Sequence, residues 1–295
     1  MKQNIRRAGI AHLVILGLGA VAPRLARAAA AGDAATVPGP SSPEASRAVA
    51  AADADTDADA DLEDRETSSL DRAIAAGALL PLTLSPAVGA VPATAVGYAG
   101  YDGGRGSAVA QAFAEVRLWR RVALRGGTEL SDTTHRVRPS VGARLQVISQ
   151  QRHGADGAVS VSYRAEGFNQ PEGEIETVVA IGRRFGRAAL FANLAYGQDF
   201  EGHERDGELR LAALARVTNR MQVGVDGRWR LDLGSQTAKL QASNEPTYDI
   251  DAGPVLALSV GPMAVVAHAG ASIVRRVGQD AVLGLIGVAG VGASF

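Results

Sequence analysis

No cysteine occurs among the 295 residues, so thiolate nucleophiles, thiolate metal sites and disulfides are excluded, and any chemistry must rest on carboxylates, arginines, hydroxyls and histidine. Few such residues have suggestive spacing. His268 precedes Ser272 by four positions, and Asp132 with His135, or His203 with Asp199 and Asp206, group acids with imidazoles as general acid-base chemistry requires. Asp55, Asp57, Asp59, Asp61 and Glu66 follow the ligand spacing of an EF-hand calcium loop. Ala60 occupies the position where that loop needs glycine and no apolar helix precedes it, so the spacing predicts adventitious cation binding only. Composition alone accounts for the Asp and His groupings in polar stretches. With no phosphate-binding glycine loop, metal cluster or catalytic triad, neither an enzyme nor a cofactor is expected.

Charges recurring at every second position carry more information. Glu208 and Arg210 alternate with Leu209 and Leu211, and Asp226, Arg228 and Arg230 alternate with Val225, Gly227, Trp229 and Leu231. Arg138, Arg144 and Gln146 interleave with Val137, Val141, Ala143, Leu145 and Val147. A period of two places one residue set on each face of a β-strand. The template predicts twelve strands, near 94-101, 109-118, 122-130, 137-148, 158-166, 174-183, 187-197, 207-216, 220-231, 247-258, 263-273 and 282-294. Their connections alternate between longer polar loops and tight turns, with 149-157 as the exception. Strands of about ten residues exceed the usual five or six of soluble sheets and match a tilted bilayer span.

Residues 252-274 lack Asp, Glu, Lys and Arg, which on hydropathy alone would suit a membrane helix. Pro254 and the Gly261-Pro262 pair interrupt the stretch and favour a hairpin instead. The expected fold is therefore all-β, an antiparallel up-and-down transmembrane β-barrel of about twelve strands.

Lys2, Arg6 and Arg7, the uncharged stretch from Ala8 to Ala22 and the Ala26-Arg27-Ala28 pattern predict a signal peptide over 1-28. Residues 29-68, rich in Ala and Asp, cannot bury enough apolar surface to order and read as a disordered acidic linker. Residues 69-92 read as a short helix or plug segment, with Pro81 ending the helical pattern, and 93-295 as the barrel. The formal net charge of −1 excludes a basic nucleic-acid binder.

Residues 282-295, VLGLIGVAGVGASF, end the chain on Phe295, and Ala293, Val291, Ala289, Gly287, Leu285 and Leu283 form an apolar face at period two. This resembles the C-terminal signal of bacterial outer-membrane β-barrel proteins, whose terminal strand ends on an aromatic read by the barrel-assembly machinery. The resemblance covers about 94-295 and names no subfamily. It implies an outer-membrane location, periplasmic termini, surrounding lipid and the assembly machinery as partners, and Phe295 as the assembly signal. Aromatics are only 4% of the chain, so candidates for the interface girdles are few: Tyr98, Trp119, Tyr163, Tyr196, Trp229, Tyr248 and Phe295. Barrel enzymes of this class are not matched. The His-x-Ser-Asn-Gly motif of the outer-membrane phospholipase is absent, and parity turns His268 toward the lumen.

With the apolar face in lipid, the other face lines a lumen of mixed charge. Its candidate constriction is Glu208, Arg210, Asp226, Arg228, Arg230, Asp249, Asp251, Arg125 and Glu115. The expected function is a narrow, weakly selective channel for small polar solutes; the alternative is a non-transporting barrel that anchors an envelope interaction, which a lumen closed by residues 69-92 would favour, and an outer-membrane hydrolase ranks third. Closing 207-216 and 220-231 through the three residues Val217, Thr218 and Asn219 would pair Arg210 with Asp226, Glu208 with Arg228, and Asp206 with Arg230. The competing register opposes Arg210 to Arg228, and directly opposed like charges destabilise a sheet. On the far side, Asp249 and Asp251 are expected opposite Arg230 and Arg228.

Overall fold

The computed structural model describes residues 80–87, 91–131, 136–167, 173–200, 204–234, 246–260 and 263–295. The expected signal peptide, the linker, the EF-hand-like spacing, Asp132 with His135, and His203 lie outside them. Twelve strands run β1 Ala93–Asp102, β2 Ser107–Trp119, β3 Val122–Ser131, β4 Arg136–Ile148, β5 Asp156–Ala165, β6 Gly173–Phe185, β7 Ala188–Asp199, β8 Arg205–Thr218, β9 Met221–Asp232, β10 Pro246–Val260, β11 Met263–Arg276 and β12 Val282–Ser294. Each pairs antiparallel with its neighbours in sequence, and β1 pairs with β12, so the sheet closes and no edge remains. The predicted fold class is the one observed.

The start of β1, the end of β12 and the tight turns share one end, here the turn end; the longer connections share the other, the loop end. Pairs β2–β3, β6–β7 and β8–β9 close through two residues each, 120–121, 186–187 and 219–220. Gly186 has φ 57°, the left-handed geometry that tight hairpins need. The connection 149–155 holds the one-turn helix α1, Gln150–His153, ended by Gly154 at φ 75°.

The barrel is inverted relative to a soluble one. Val141, Val161, Ile181, Leu194 (63% exposed), Leu211, Val225, Leu256 and Leu285 (79% exposed) point outward, while Glu115, Arg144, Asp226, Asp249 and Asp251 point inward and are buried. Water would make such an exterior costly; lipid makes it favourable, and closure satisfies the strand backbones internally. Strand lengths of 10 to 15 residues cover the span of about 9–11 that a tilted strand requires. Exposed Trp119, Phe185 and Phe295 stand at the turn end, and Tyr101, Tyr196 and Trp229 stand near the loop end, forming two sparse aromatic girdles.

One expectation holds and one changes. The charge-free stretch 252-274 lies in the hairpin β10–β11, and no helix among the described residues is long and apolar enough to cross a membrane. Tyr98 does not belong to a girdle: it is buried in the lumen, its ring centroid 6.2 Å from that of Phe113. The cause is that β1 carries apolar side chains on both faces, so apolar character alone did not report which way Tyr98 points.

Candidate functional site

The lumen has two levels. Toward the turn end, Val96, Tyr98, Phe113, Phe191, Leu214, Val255, Val266, Ile286 and Val288 converge from around the wall with Leu80 into one buried apolar cluster. Residues 80–87, Leu-Pro-Leu-Thr-Leu-Ser-Pro-Ala, run through this level with no regular secondary structure. Pro81 and Pro86 fix φ and hold the preceding residues extended, so the segment cannot coil into a helix. A buried unpaired backbone must find partners, and here wall side chains supply them. The Asp226 carboxylate accepts from Leu82 N at 3.0 Å and from Thr83 Oγ1 at 2.5 Å. The Asn193 amide both accepts from Leu84 N, 2.6 Å, and donates to Leu84 O, 2.8 Å. Arg144 donates to Ser85 O and Ala87 O at 2.7 and 3.1 Å, while ion-pairing with Glu115 at 2.6 Å. Three strands, β4, β7 and β9, thereby hold the segment across the barrel, and Glu115 on β2 braces Arg144.

Above this floor lies a cavity of about 1350 Å³ that reaches Phe200, Glu204, Asp232 and Pro246 at the loop end. Its wall is a ladder of ion pairs. Arg228 reaches Asp251 at 2.6 Å and Asp249 at 3.1 Å; Arg230 reaches Asp206 at 2.6 Å; Arg210 reaches Glu208 at 2.6 Å and Glu176 at 3.2 Å. Across the lumen Arg164 reaches Glu174 and Glu129, and Arg138 reaches Glu166. The β1–β2 connection continues the wall at Gly103, whose N–H donates to Leu285 O, and its Arg105 joins Asp249 to Asp102. Arg125 stands 3.5 Å over the Phe113 ring, which gives the floor a cation–π contact. Both signs alternate around the wall, so the cavity is polar and highly structured without a single-sign field.

The structure brings most of the expected constriction together. Asp249 opposes Arg230 and Asp251 opposes Arg228, as expected. The β8–β9 register is different: Glu208 opposes Arg230, Arg210 opposes Arg228, and Asp226 falls opposite Ala212. The expected pairing of Arg210 with Asp226 is therefore corrected. The hairpin uses a two-residue turn with a register irregularity between Arg216 and Thr218 in place of the expected three-residue loop. The change preserves parity, so every lumen residue still faces inward. Like charges on Arg210 and Arg228 are tolerated because the two guanidinium groups turn apart, one toward Glu208 and Glu176, the other toward Asp249 and Asp251. Arg230 still meets Asp206, diagonally.

Freed from Arg210, Asp226 has uncharged neighbours on both strands, Ala212 and Gly253. That isolation makes it available to the segment in the lumen. Sequence reasoning offered 69-92 as a short helix or plug segment but missed Asn193 among the wall residues that hold Leu82 to Ala87. The available signal was a lone amide in the apolar inward row Ala189, Phe191, Asn193, Ala195. His268 faces the lumen as parity required, buried between Val255 and Val288 on the adjacent strands, and Ser272 opposes Asp251. Of the other acid groupings, Asp206 is engaged by Arg230.

No protein-family model matches the sequence, and no curated protein matches it. Among solved structures the chain is similar to the NanC porin, at 11% identity over 68% of this chain and 98% of that chain, with a TM-score of 0.47. It is similar to the KdgM porin at 11% identity over 68% of this chain and 99% of that one, TM-score 0.46. A third likeness is to the outer membrane channel DcaP of Acinetobacter baumannii, at 11% identity and TM-score 0.40, covering 66% of this chain and 65% of that one. The chain thus spans slightly less than two thirds of that channel's length.

Proposed function

We propose that this protein is a bacterial outer-membrane barrel with periplasmic termini that passes small polar solutes through a narrow lumen, and that the observed conformation is its closed state. The outward apolar face and sparse girdles support the membrane placement. One observation carries the closed state: residues 80–87 cross the lumen beneath a charged cavity that reaches the loop end, held by Asp226, Asn193 and Arg144. Solute entering from the loop end meets a polar wall and then a floor of Leu80, Leu84, Tyr98 and Phe113. Conduction requires that segment to leave.

The second reading, a barrel that anchors an envelope interaction and transports nothing, is the one that a lumen closed by residues 69-92 was expected to favour, and it draws on the same crossing of the lumen by residues 80–87 and on the apolar cluster around them. Planar-bilayer conductance separates the two. The full chain is expected to be mostly silent with brief openings, and a variant with residues 80–87 replaced by a Gly-Ser stretch of equal length is expected to conduct steadily. Heat-modifiable migration on gels certifies that the variant is a folded barrel. A folded but silent variant would favour the anchor.

Phe295 is expected to matter for assembly. Its N–H donates to Ala93 O at 2.9 Å and its carbonyl accepts from Ala93 N at 3.3 Å, so it joins the first strand to the last. Deleting Phe295 should lower outer-membrane yield several-fold, whereas truncating residues 40 to 60 should leave yield unchanged. Equal yields would count against an assembly role.

A further inference from the structure

Among the described residues, three two-residue turns at the turn end finish on the same residue type: Arg121 follows Arg120, Arg187 follows Gly186, and Arg220 follows Asn219, whereas the connection 261–262 ends on proline in the sequence. Their backbones are fixed alike. The carbonyl of Arg121 accepts from Gln146 N at 2.8 Å, that of Arg187 from Arg216 N at 2.7 Å, and that of Arg220 from Ser259 N at 2.8 Å. One turn position in three hairpins is thus pinned to the next strand while its side chain stays exposed. Arg152 on α1 and exposed Arg183 continue the ring. The acid at this end among the described strands and turns, Asp156, is buried and engaged by Gln146, Gln150 and Arg184. Immediately above, Trp119, Phe185, Val217 and Phe295 are exposed and apolar.

Resting on the membrane reading, we infer that this arginine collar binds the phosphodiester anions of phospholipid headgroups in the adjoining leaflet. A guanidinium presents paired donors that match two phosphate oxygens, and its stem lies along the apolar band while the head stays at headgroup depth. Because the turn backbones are pinned to the following strands, the positive charge is held at one level along the arc from β2 to β9. The chain contains a competitor: residues 29–68 carry ten Asp and Glu against two Arg. The pattern favours lipid because the arginines flank outward apolar side chains.

The test uses the full chain refolded into phosphatidylcholine vesicles with and without phosphatidylglycerol, followed by measurement of the lipids retained after mild detergent extraction. Phosphatidylglycerol is expected to be retained roughly tenfold over phosphatidylcholine at low salt, and less at high salt. A variant combining Arg121→Gln, Arg152→Gln, Arg187→Gln and Arg220→Gln should keep heat-modifiable migration and lose the preference. Equal retention by the parent, or an undiminished preference in the variant, overturns the proposal. A preference that appears only after deletion of residues 29–68 also overturns it, by showing that the acidic segment occupies the collar. Failure to enter either vesicle overturns the membrane reading itself.

Discussion

Replacing Arg144 by leucine is expected to destabilise the folded barrel by about 3 to 5 kcal/mol, the range for removing one partner of a buried ion pair. The Arg144 and Glu115 side chains are 1% and 7% exposed, and their contact is 2.6 Å. Removing the guanidinium leaves the Glu115 carboxylate with no cation in hydrogen-bond contact. It also strips Ser85 O and Ala87 O of their donor, and a buried acceptor without a partner costs about 1–3 kcal/mol. The midpoint of heat-modifiable migration and the urea midpoint in detergent report the loss. The pair Arg144→Leu with Glu115→Leu should recover part of it, because no charge is then stranded, but not all, because the two carbonyls stay unpaired. The single variant should also show more frequent bilayer openings, since one of the three anchors of residues 80–87 is gone. A shift below about 1 kcal/mol would mean that water or Arg125 replaces Arg144 at little cost.

Arg228→Glu has the second large expected effect. Arg228 lies between Asp249 and Asp251, both 0% exposed, so the substitution sets a third carboxylate against two buried ones. A loss of about 3 to 5 kcal/mol is expected from the stranded acids, read by the same unfolding midpoints. In the register first inferred from charge, Glu208→Arg would compensate. In the observed register Glu208 opposes Arg230, so Glu208→Arg should fail to rescue and Asp251→Arg should rescue in part. Rescue by Glu208→Arg and not by Asp251→Arg would contradict the observed pairing. Any current through the Arg228→Glu variant should shift toward cations, because a positive group on the wall has become negative.

The sequence by itself determined the twelve strands, their order of turns and loops, and the inward or outward direction of the charged residues. Period two is a local property of adjacent residues, and an inward Arg or Asp beside an outward Val or Leu reports it directly. Val223, Val225 and Trp229 against Asp226, Arg228 and Arg230 is such a case, and the pairing of β9 with β10 followed from matching opposite charges. Where both faces are apolar, as in β1 and β12, the contrast vanishes, and Tyr98 was placed on the wrong face for that reason. Tertiary structure alone decided the β8–β9 register and the course of residues 80–87. A shift of two residues leaves every side chain on its face, so parity cannot detect it, and the opposed arginines escaped repulsion by turning to acids on other strands. That arrangement isolates Asp226 opposite Ala212 and Gly253. The segment Leu80 to Ala87 carries two prolines and no charge, so its own residues allow a plug inside the barrel without showing what would hold it there. Its position follows from three wall side chains, Asp226, Asn193 and Arg144, that lie between 57 and 144 positions away in the chain and meet its backbone only once the sheet has closed.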